Sequence, residues 1–547
     1  ATMMNERFNE MVQKANPPFV AAQASDGDFM ISKTKGAWSV AALVKDNEVD
    51  SAMNALVTET QRVKQFGFTP SEYDRARINV LKQYESLYND RDKQRNSTFT
   101  KEYVRHFTEG GYIPGIETEY ALIGQVAQAV PVEQVNKYIQ DMIGDTNIVI
   151  SLTGPEKEGL SYPTDEELLR DFMKAQQIPV EPYRETLSDE PLIPSLPAPG
   201  KITESKEDPL FGATVLTLSN GIKVVLKHTD FKKDEIQMTA TSPGGSTLFG
   251  NKDIDNLKVF NEVIELGGLG NFSATDLGKM LAGKKVSCST SLGLDSENVN
   301  GSSTPSDLKT LFELIYLSFT APRMDEEAYA SFENRMKAQL KNLELNPMVA
   351  FSDSLTKAIY NNNPRAMRID PTDFKNISYP RIMEMYKERF GDASGFVFTF
   401  VGNIDTDSIR PLVEQYLATL PANGKIEQGN PKEVPAIRKG DYVNRFKRQM
   451  ETPKASVVNF YSGQMDYNLE NIVTATMLKQ VLDLIYTEKV REDEGGTYGV
   501  QTSARISSFP EGQTFLQAYF DTDPDKREKM NTIVRNELKR ISDIGPT

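Results

Sequence analysis

The sequence predicts an α+β fold built from repeated two-layer domains, each a mixed or antiparallel sheet packed against helices. Long amphipathic helical patterns alternate with short strands, without the strict strand–helix alternation of a doubly wound parallel sheet. In addition, residues 52–69 and 530–547 share one helix-and-turn pattern, which indicates that homologous domains recur along the chain. The matched residues are Leu56 with Val534, Glu59 with Glu537, Val63 with Ile541, and Gly67 with Gly545.

Two breaks rich in proline, glycine and charged residues divide the chain into segments. Residue 1 runs straight into a helical pattern without the regions of a signal peptide, which predicts a start inside a domain. The predicted organisation is residues 1–160 as the later part of one domain, 161–208 as a Pro-rich acidic linker, 209–424 as a complete domain, 425–440 as a short linker, and 441–547 as the first part of a further domain.

The complete domain is predicted to open with a hairpin and to close with a buried strand. Apolar runs at 214–218 and 222–226 flank Asn220-Gly221, a typical hairpin turn. A helical pattern then precedes the strand-like run 396–401. Residues 148–152 also follow a helical pattern, at the end of the first segment, as 396–401 do in the complete domain. They are therefore predicted to form an equivalent strand.

The composition excludes several classes of protein. The 39% hydrophobic and 25% charged content is ordinary for a globular protein, and no apolar run approaches the length that spans a membrane. A net charge of −15, spread along the chain, disfavours nucleic acid as a partner. Cys288 is the only cysteine, which rules out an intramolecular disulfide and a cysteine-based metal site.

The two histidines, His106 and His228, are too far apart in sequence to form a helical two-histidine zinc motif or its inverted form. One imidazole without a partner is a poor ligand set, so neither histidine is assigned a role and no metal site is predicted. The glycine-rich runs 243–246 and 267–270 do not join a strand to a helix as phosphate-binding loops do. We interpret them as turns.

The segment 490–500 carries the residues best suited to bind a substrate. A helical pattern ends at the Gly495-Gly496 pair, so Arg491 and Tyr498 bracket a single turn. A guanidinium and a phenol on one face are two donors for a peptide carbonyl or an oxyanion. On the residues alone a purely structural role is favoured, because arginine at a helix end and tyrosine at a strand start are common.

Arg491, six intervening residues and Tyr498 resemble the Arg/Tyr motif of pitrilysin- and insulinase-type zinc peptidases, in their bacterial branch. The runs 5–11, 16–19, 242–245 and 386–421 resemble the same family, so the likeness covers almost the whole chain. It implies four homologous domains, of which only the first binds zinc. The chain would hold the later part of the second domain, all of a degenerate third domain, and the first part of the fourth.

In that degenerate domain, residues 259–263 align with the position of the family's inverted zinc motif. Val259 and Val263 stand where histidine ligands would be, and Glu262 remains alone on the helix surface. The resemblance therefore implies that zinc in the parent protein is bound by an upstream domain. None is expected in this chain.

The resemblance implies a parent zinc metalloendopeptidase that cleaves peptides or unfolded polypeptides. This chain would be its inactive, substrate-binding and chamber-closing half, with Arg491 and Tyr498 supporting the oxyanion. The implied partners are the peptide substrate and the upstream catalytic domain, with neither nucleic acid nor a membrane span; a homodimer is also allowed. The periplasm or cell envelope is favoured, and the cytoplasm stays open. The alternative is a non-catalytic partner or structural subunit of a processing-peptidase-like complex without hydrolase activity.

Overall fold

The computed structural model confirms the predicted α+β class and divides the chain into two compact units. The N-terminal unit comprises Ala1–Asn342 and Ile369–Gly429, and the C-terminal unit comprises Leu343–Arg368 and Asn430–Thr547. The predicted domain boundaries remain a prediction. The residues described are 1–29, 32–185, 188, 190–343, 345–492, 494–495, 497 and 499–545.

The described chain contains runs of consecutive helices and runs of consecutive strands. The α-helices are α1 Thr2–Val12, α2 Val49–Phe66, α3 Pro70–Asn89, α4 Asn96–Glu109, α5 Ile116–Ala129, α6 Val132–Met142, α7 Asp165–Ala175, α8 Ile254–Lys258, α9 Phe260–Val263, α10 Ala274–Met280, α11 Leu308–Thr320, α12 Glu326–Leu343, α13 Pro347–Tyr360, α14 Tyr379–Phe390, α15 Arg410–Leu412, α16 Leu469–Tyr486 and α17 Arg527–Ile544. The strands are β1 Ala21–Phe29, β2 Ser32–Leu43, β3 Ile202–Asp208, β4 Ala213–Leu218, β5 Lys223–His228, β6 Ile236–Pro243, β7 Val286–Leu292, β8 Ser296–Ser303, β9 Val397–Gly402, β10 Ala455–Gln464, β11 Val500–Ile506 and β12 Gln513–Thr522. Among the helices described, none is long and apolar enough to cross a membrane.

The largest sheet among the described residues has seven strands in the order β3-β4-β5-β9-β6-β8-β7. The β5–β9 pair is parallel and the other pairs are antiparallel, so the sheet is mixed as predicted. One face is apolar, since Ile236, Met238 and Ala240 of β6 alternate with exposed residues. That face packs against α11, where the Phe312 ring stacks on the Phe400 ring at 5.1 Å. The predicted hairpin is confirmed as β4 and β5.

In the first segment, α1 and α2 pack on the β1–β2 hairpin around one buried arginine. The Arg7 side chain is 1% exposed and forms two hydrogen bonds with Glu72, at 2.6 and 2.8 Å. A third hydrogen bond, at 2.9 Å, reaches Glu59 of α2. Glu72 also closes the capping box at the start of α3 with Thr69. Arg7 therefore joins three helices through charge-assisted hydrogen bonds.

The C-terminal unit repeats this helix–hairpin–helix arrangement at a constant offset of 478 residues, the separation of Gly67 and Gly545 (545 − 67). Its sheet has the order β10-β12-β11, and α16 and α17 occupy the places of α1 and α2. The register is the same at this offset: Ala22 pairs with Ala42 in β1–β2, and Val500 pairs with Phe520 in β11–β12.

The buried positions of the two repeats coincide at the same offset. Phe8 and Tyr486 are both fully buried, and Glu59 binds Arg62 at 2.8 Å just as Glu537 binds Arg540 at 2.8 Å. The predicted repetition of 52–69 in 530–547 therefore extends through the whole motif.

Two expectations about the connecting segments need correction. Residues 148–152 do not form a strand; β9 is paired on both sides by β5 and β6, whereas 148–152 pair with no described strand. The stretch 161–208, predicted to be an extended linker, contains helix α7, and its strand β3 pairs with β4 in the seven-stranded sheet. A capping box between Thr164 and Glu167 starts α7 despite the surrounding prolines.

Part of this connector is fastened to the helices around it. The Glu185 carboxylate accepts two hydrogen bonds from Arg75 of α3, at 3.1 and 2.9 Å, and forms an ion pair with Lys279 of α10 at 3.3 Å. Lys279 also pairs with Glu10 of α1 at 2.6 Å, and Glu10 accepts a hydrogen bond from Tyr183 at 2.8 Å. Residues 181–185 are thereby bound to both the first segment and the seven-stranded domain.

Candidate functional site

Arg491 lies at the end of the long helix that precedes β11 in the C-terminal unit. Helix α16 continues into a π-helical turn, Thr487–Glu492, in which Val490 is fully buried and Arg491 is exposed. Gly495 adopts a left-handed φ of +55° and donates its N–H to the Arg491 carbonyl at 3.1 Å. The helix therefore ends before Gly495, and the guanidinium lies on the surface.

Tyr498, the second predicted site residue, lies outside the described residues. Strand β11 begins at Val500, two residues further on. The geometry between Arg491 and Tyr498 therefore remains a prediction.

Hydrogen bonds around Asp483 join α16 to β11 just before this turn. We call them the clamp, and the sequence did not predict them. Asp483 accepts hydrogen bonds from the Thr502 N–H at 3.1 Å and the Thr502 hydroxyl at 2.5 Å, and it pairs with Lys479 at 2.6 Å. Burial raises the pKa of Asp483, but these partners outweigh burial and leave its pKa below the ordinary value. The clamp determines where the helix ends relative to the strand.

The same clamp is present in the first segment at the offset of 478 residues. Asn5 takes the place of Asp483 (483 − 478) and accepts a hydrogen bond from the Ala24 N–H at 2.6 Å. Its amide group also donates to the Ala24 carbonyl at 3.1 Å. Extending the repeat from 52–69 back toward residue 1 would have revealed this correspondence from the sequence.

The two repeats differ in the turn that follows the clamp. Residues 13–20 correspond to 491–498, so Gln13 stands in place of Arg491 and Val20 in place of Tyr498. Val20 is 2% exposed. In place of Gly495-Gly496, the first repeat has Pro17-Pro18, which cannot adopt a left-handed φ. The arginine and tyrosine therefore occur in only one of the two repeats, although the helices and strands of both repeats share the same register.

The described residues do not fit a zinc ion. Val259 and Val263 are 1% and 0% exposed in the core of the seven-stranded domain, and Glu262 points to solvent. His106 Nδ1 lies 2.5 Å from the Gly111 carbonyl, and His228 Nδ1 lies 2.9 Å from the Ile404 carbonyl. In the described part of the chain, no group of three or more His, Cys, Asp or Glu residues is arranged to hold a metal.

The glycine-rich run 243–246 forms a turn. Gly245 has a φ of +83° and donates its N–H to the buried carboxylate of Glu297 at 2.9 Å. A Cβ at Gly245 would lie 2.4 Å from the Leu294 carbonyl, so the position requires glycine. Burial raises the pKa of Glu297.

The described residues form repeated α+β motifs, an architecture shared with solved protease structures. Residues 376–547 match the family model described as the Peptidase M16 inactive domain. Together with the relatives below, this match confirms the predicted resemblance: the chain is homologous to PqqL-like zinc proteases and carries an M16 inactive domain.

The relatives are about twice as long as the chain. A zinc protease PQQL-like protein of Arabidopsis thaliana is 24% identical over 506 residues, covering 89% of this chain and 50% of the relative. The probable zinc protease PqqL of Escherichia coli (strain K12) is 20% identical over 511 residues, covering 91% of this chain and 53% of the relative. The chain thus spans about half the length of these two proteins.

Two solved structures share the fold over 99% of this chain and 60% of their own length. The ferredoxin protease FusC in complex with Arabidopsis ferredoxin has a TM-score of 0.65 at 16% identity. The periplasmic protease PqqL from Escherichia coli has a TM-score of 0.57 at 17% identity. At these identities the likeness establishes the fold alone.

Proposed function

We propose that this chain is the non-catalytic, substrate-binding and chamber-closing half of a zinc-dependent metallopeptidase that cleaves peptides or unfolded polypeptides. The observation that carries the proposal is the match of residues 376–547 to an inactive peptidase domain, within a chain that aligns with half of two zinc proteases. The parent protein is then a zinc metalloendopeptidase, and this chain alone is inactive.

In this proposal the zinc ion belongs to an upstream catalytic domain of the same polypeptide. The described residues of this chain do not fit the ion, and the relatives are named as zinc proteases. The FusC structure contains a protein, ferredoxin, bound to a protease of this fold, which supports a polypeptide as the substrate class. The periplasmic PqqL supports the cell envelope as the compartment. A homodimer is not part of the proposal.

Arg491 and Tyr498 are the substrate-binding residues of the proposal. A phenol and a guanidinium donate hydrogen bonds to a carbonyl oxygen, and such donors matter most when the oxygen gains negative charge. The first repeat supports this role by contrast, because it keeps the helix, the clamp and the strands but has Gln13 and Val20 at these positions. A turn needed only for folding would not require the Arg/Tyr pair.

The test uses Tyr498→Phe in the intact parent protein, which removes one hydroxyl. We expect kcat for a quenched fluorescent peptide to fall roughly 100-fold, the effect typical of losing one oxyanion donor, while KM changes little. Tyr467→Phe is the matched control, since Tyr467 is 45% exposed in the same unit. An unchanged kcat in Tyr498→Phe would refute the role.

Zinc analysis of the intact protein distinguishes the enzyme from the alternative. About one zinc per chain, together with chelator-sensitive cleavage, supports the peptidase. A metal-free, inert intact protein would instead support a non-catalytic partner or structural subunit of a processing-peptidase-like complex.

A further inference from the structure

A cavity of about 470 Å³ lies in the N-terminal unit, where α3, the start of α4 and two loops of the seven-stranded domain meet. Its volume is in the range of small-molecule sites. Six basic side chains line it: Lys82, Lys93, Arg95, Lys232, Lys284 and Lys285. Among the described residues of the lining, Asp90 alone is acidic. This concentration of positive charge contrasts with the net charge of −15 of the chain.

Hydrogen bonds between the walls hold the cavity in shape. Lys285 donates to the Ser86 hydroxyl at 2.6 Å, and the Gly283 N–H donates to the Asn79 side-chain oxygen at 2.7 Å. Asp90 Oδ1 accepts the N–H groups of residues 233 and 234, at 2.8 and 3.1 Å. The one acidic residue in the lining is therefore already used to join the walls.

Half of the lining cations form no ion pair with a described carboxylate. Lys82, Lys93 and Lys232 each form an ion pair with an acidic residue, at distances from 2.5 to 3.8 Å. Among the residues that the structure describes, Arg95, Lys284 and Lys285 form no ion pair. Lys285 donates a hydrogen bond to the Ser86 hydroxyl, and its charge also helps to lower the pKa of Glu235. These three side chains come from two different walls of the cavity and leave it with a positive charge.

The start of α4 adds further donors for an anion. Arg95 is the residue before the helix and its side chain does not cap it, and the first turn contains no acidic residue. Gln94, Arg95 and Thr98 all line the cavity. The first N–H groups of a helix lack intrahelical acceptors and lie at the positive end of its dipole. The free N–H groups at the start of α4 and the basic side chains of the lining are donors that suit a negatively charged ligand with many oxygen atoms.

We infer that this cavity binds a compact oxyanion of the phosphate class carrying two or more negative charges, held by Arg95, Lys284, Lys285 and the start of α4. Arginine and lysine donate charge-assisted hydrogen bonds to phosphate oxygens. A cavity of this volume encloses a di- or triphosphate group, whereas an extended acidic peptide would reach beyond it. The bound anion links α4 to the turn before β7 and stabilises the junction between the first segment and the seven-stranded domain.

The test is titration of the intact protein with inorganic tripolyphosphate by isothermal calorimetry. The double charge reversal Arg95→Glu with Lys284→Glu is expected to raise Kd at least about tenfold, because it removes two unpaired cations and adds two negative charges. The matched control is Lys223→Glu with Lys375→Glu, two exposed lysines outside the cavity, for which Kd should stay within about twofold. If tripolyphosphate instead bound a metal elsewhere in the protein, the measured Kd would be the same for the unmodified protein, the double charge reversal and the control variant.

Three outcomes would overturn the inference. The first is that the unmodified protein does not bind tripolyphosphate at about 0.15 M salt, where diffuse attraction to surface charge is largely screened. The second is an equal loss of affinity in the double reversal and its control. The third is that citrate, a multivalent carboxylate, binds as tightly as tripolyphosphate, which would show that charge alone selects the ligand.

Discussion

Replacing Arg7 by methionine is expected to destabilise the first segment strongly. The Arg7, Glu59 and Glu72 side chains are 1%, 3% and 1% exposed, so removal of the guanidinium leaves two carboxylates in a buried site. Each keeps one partner: Arg62 binds Glu59 at 2.8 Å, and the Thr69 N–H binds Glu72 at 2.8 Å. Breaking a buried ion pair by removing one partner costs about 3–5 kcal/mol, and we expect a loss in this range.

Urea unfolding followed by fluorescence measures this loss directly in the affected segment. Trp38 is the only tryptophan of the chain, and its ring packs against the hydrophobic cluster that contains Phe8 and Val63. The transition of Trp38 therefore reports the unfolding of the helices that Arg7 joins.

A triple variant separates charge from packing. Arg7→Met combined with Glu59→Gln and Glu72→Gln has no unpaired carboxylate, so it should recover at least half of the lost free energy of unfolding. A loss below about 1 kcal/mol in Arg7→Met would refute the reasoning. So would a triple variant no more stable than the single one.

Three further predictions concern other parts of the chain. Asp483→Ala should lower the free energy of unfolding of the C-terminal unit by about 1–3 kcal/mol in urea unfolding followed by circular dichroism, and Asp483→Asn by less, because Asn5 makes the same clamp in the first repeat. Gly245→Ala should cost at least about 2 kcal/mol by the same measurement, whereas Gly250→Ala, which has open space around it, should be nearly neutral. Burial raises the pKa of Glu185, but Arg75, Ser71 and Lys279 together outweigh burial and leave it below the ordinary 4.5. The stabilisation by Glu185 is therefore present above about pH 4.5 and lost as the pH falls through the lower folded-state pKa, so urea unfolding should depend less on pH in Glu185→Gln.

The sequence predicted those elements whose formation depends on residues adjacent in the chain. The hairpin β4–β5 follows from Asn220-Gly221 between two apolar runs, and Gly221 has the φ of +86° that such a turn requires. Residues 148–152 carry the same apolar signal as β9 but form no strand, since a strand also needs a neighbour to pair with. Apolar pattern alone does not report the presence of that neighbour.

The candidate site was only partly predictable for the same reason. The helix end near Arg491 follows from Gly495-Gly496, whose conformational freedom is a property of the residues themselves. The clamp between Asp483 and Thr502 depends on how α16 packs on β11, so no local signal predicts it. Comparing the chain with itself at an offset of 478 residues aligns Asn5 and Ala24 with these residues, but only the structure shows the hydrogen bonds.

The fastening of residues 181–185 has a mechanical consequence. A proline-rich connector ordinarily lets the domains at its two ends reorient independently. Here Glu185 is bound at once by Arg75 of the first segment and Lys279 of the seven-stranded domain, and Lys279 also pairs with Glu10 of α1, so one part cannot rotate against the other without breaking ion pairs. Residues 181–185 therefore join the first segment to the seven-stranded domain instead of acting as a hinge between them.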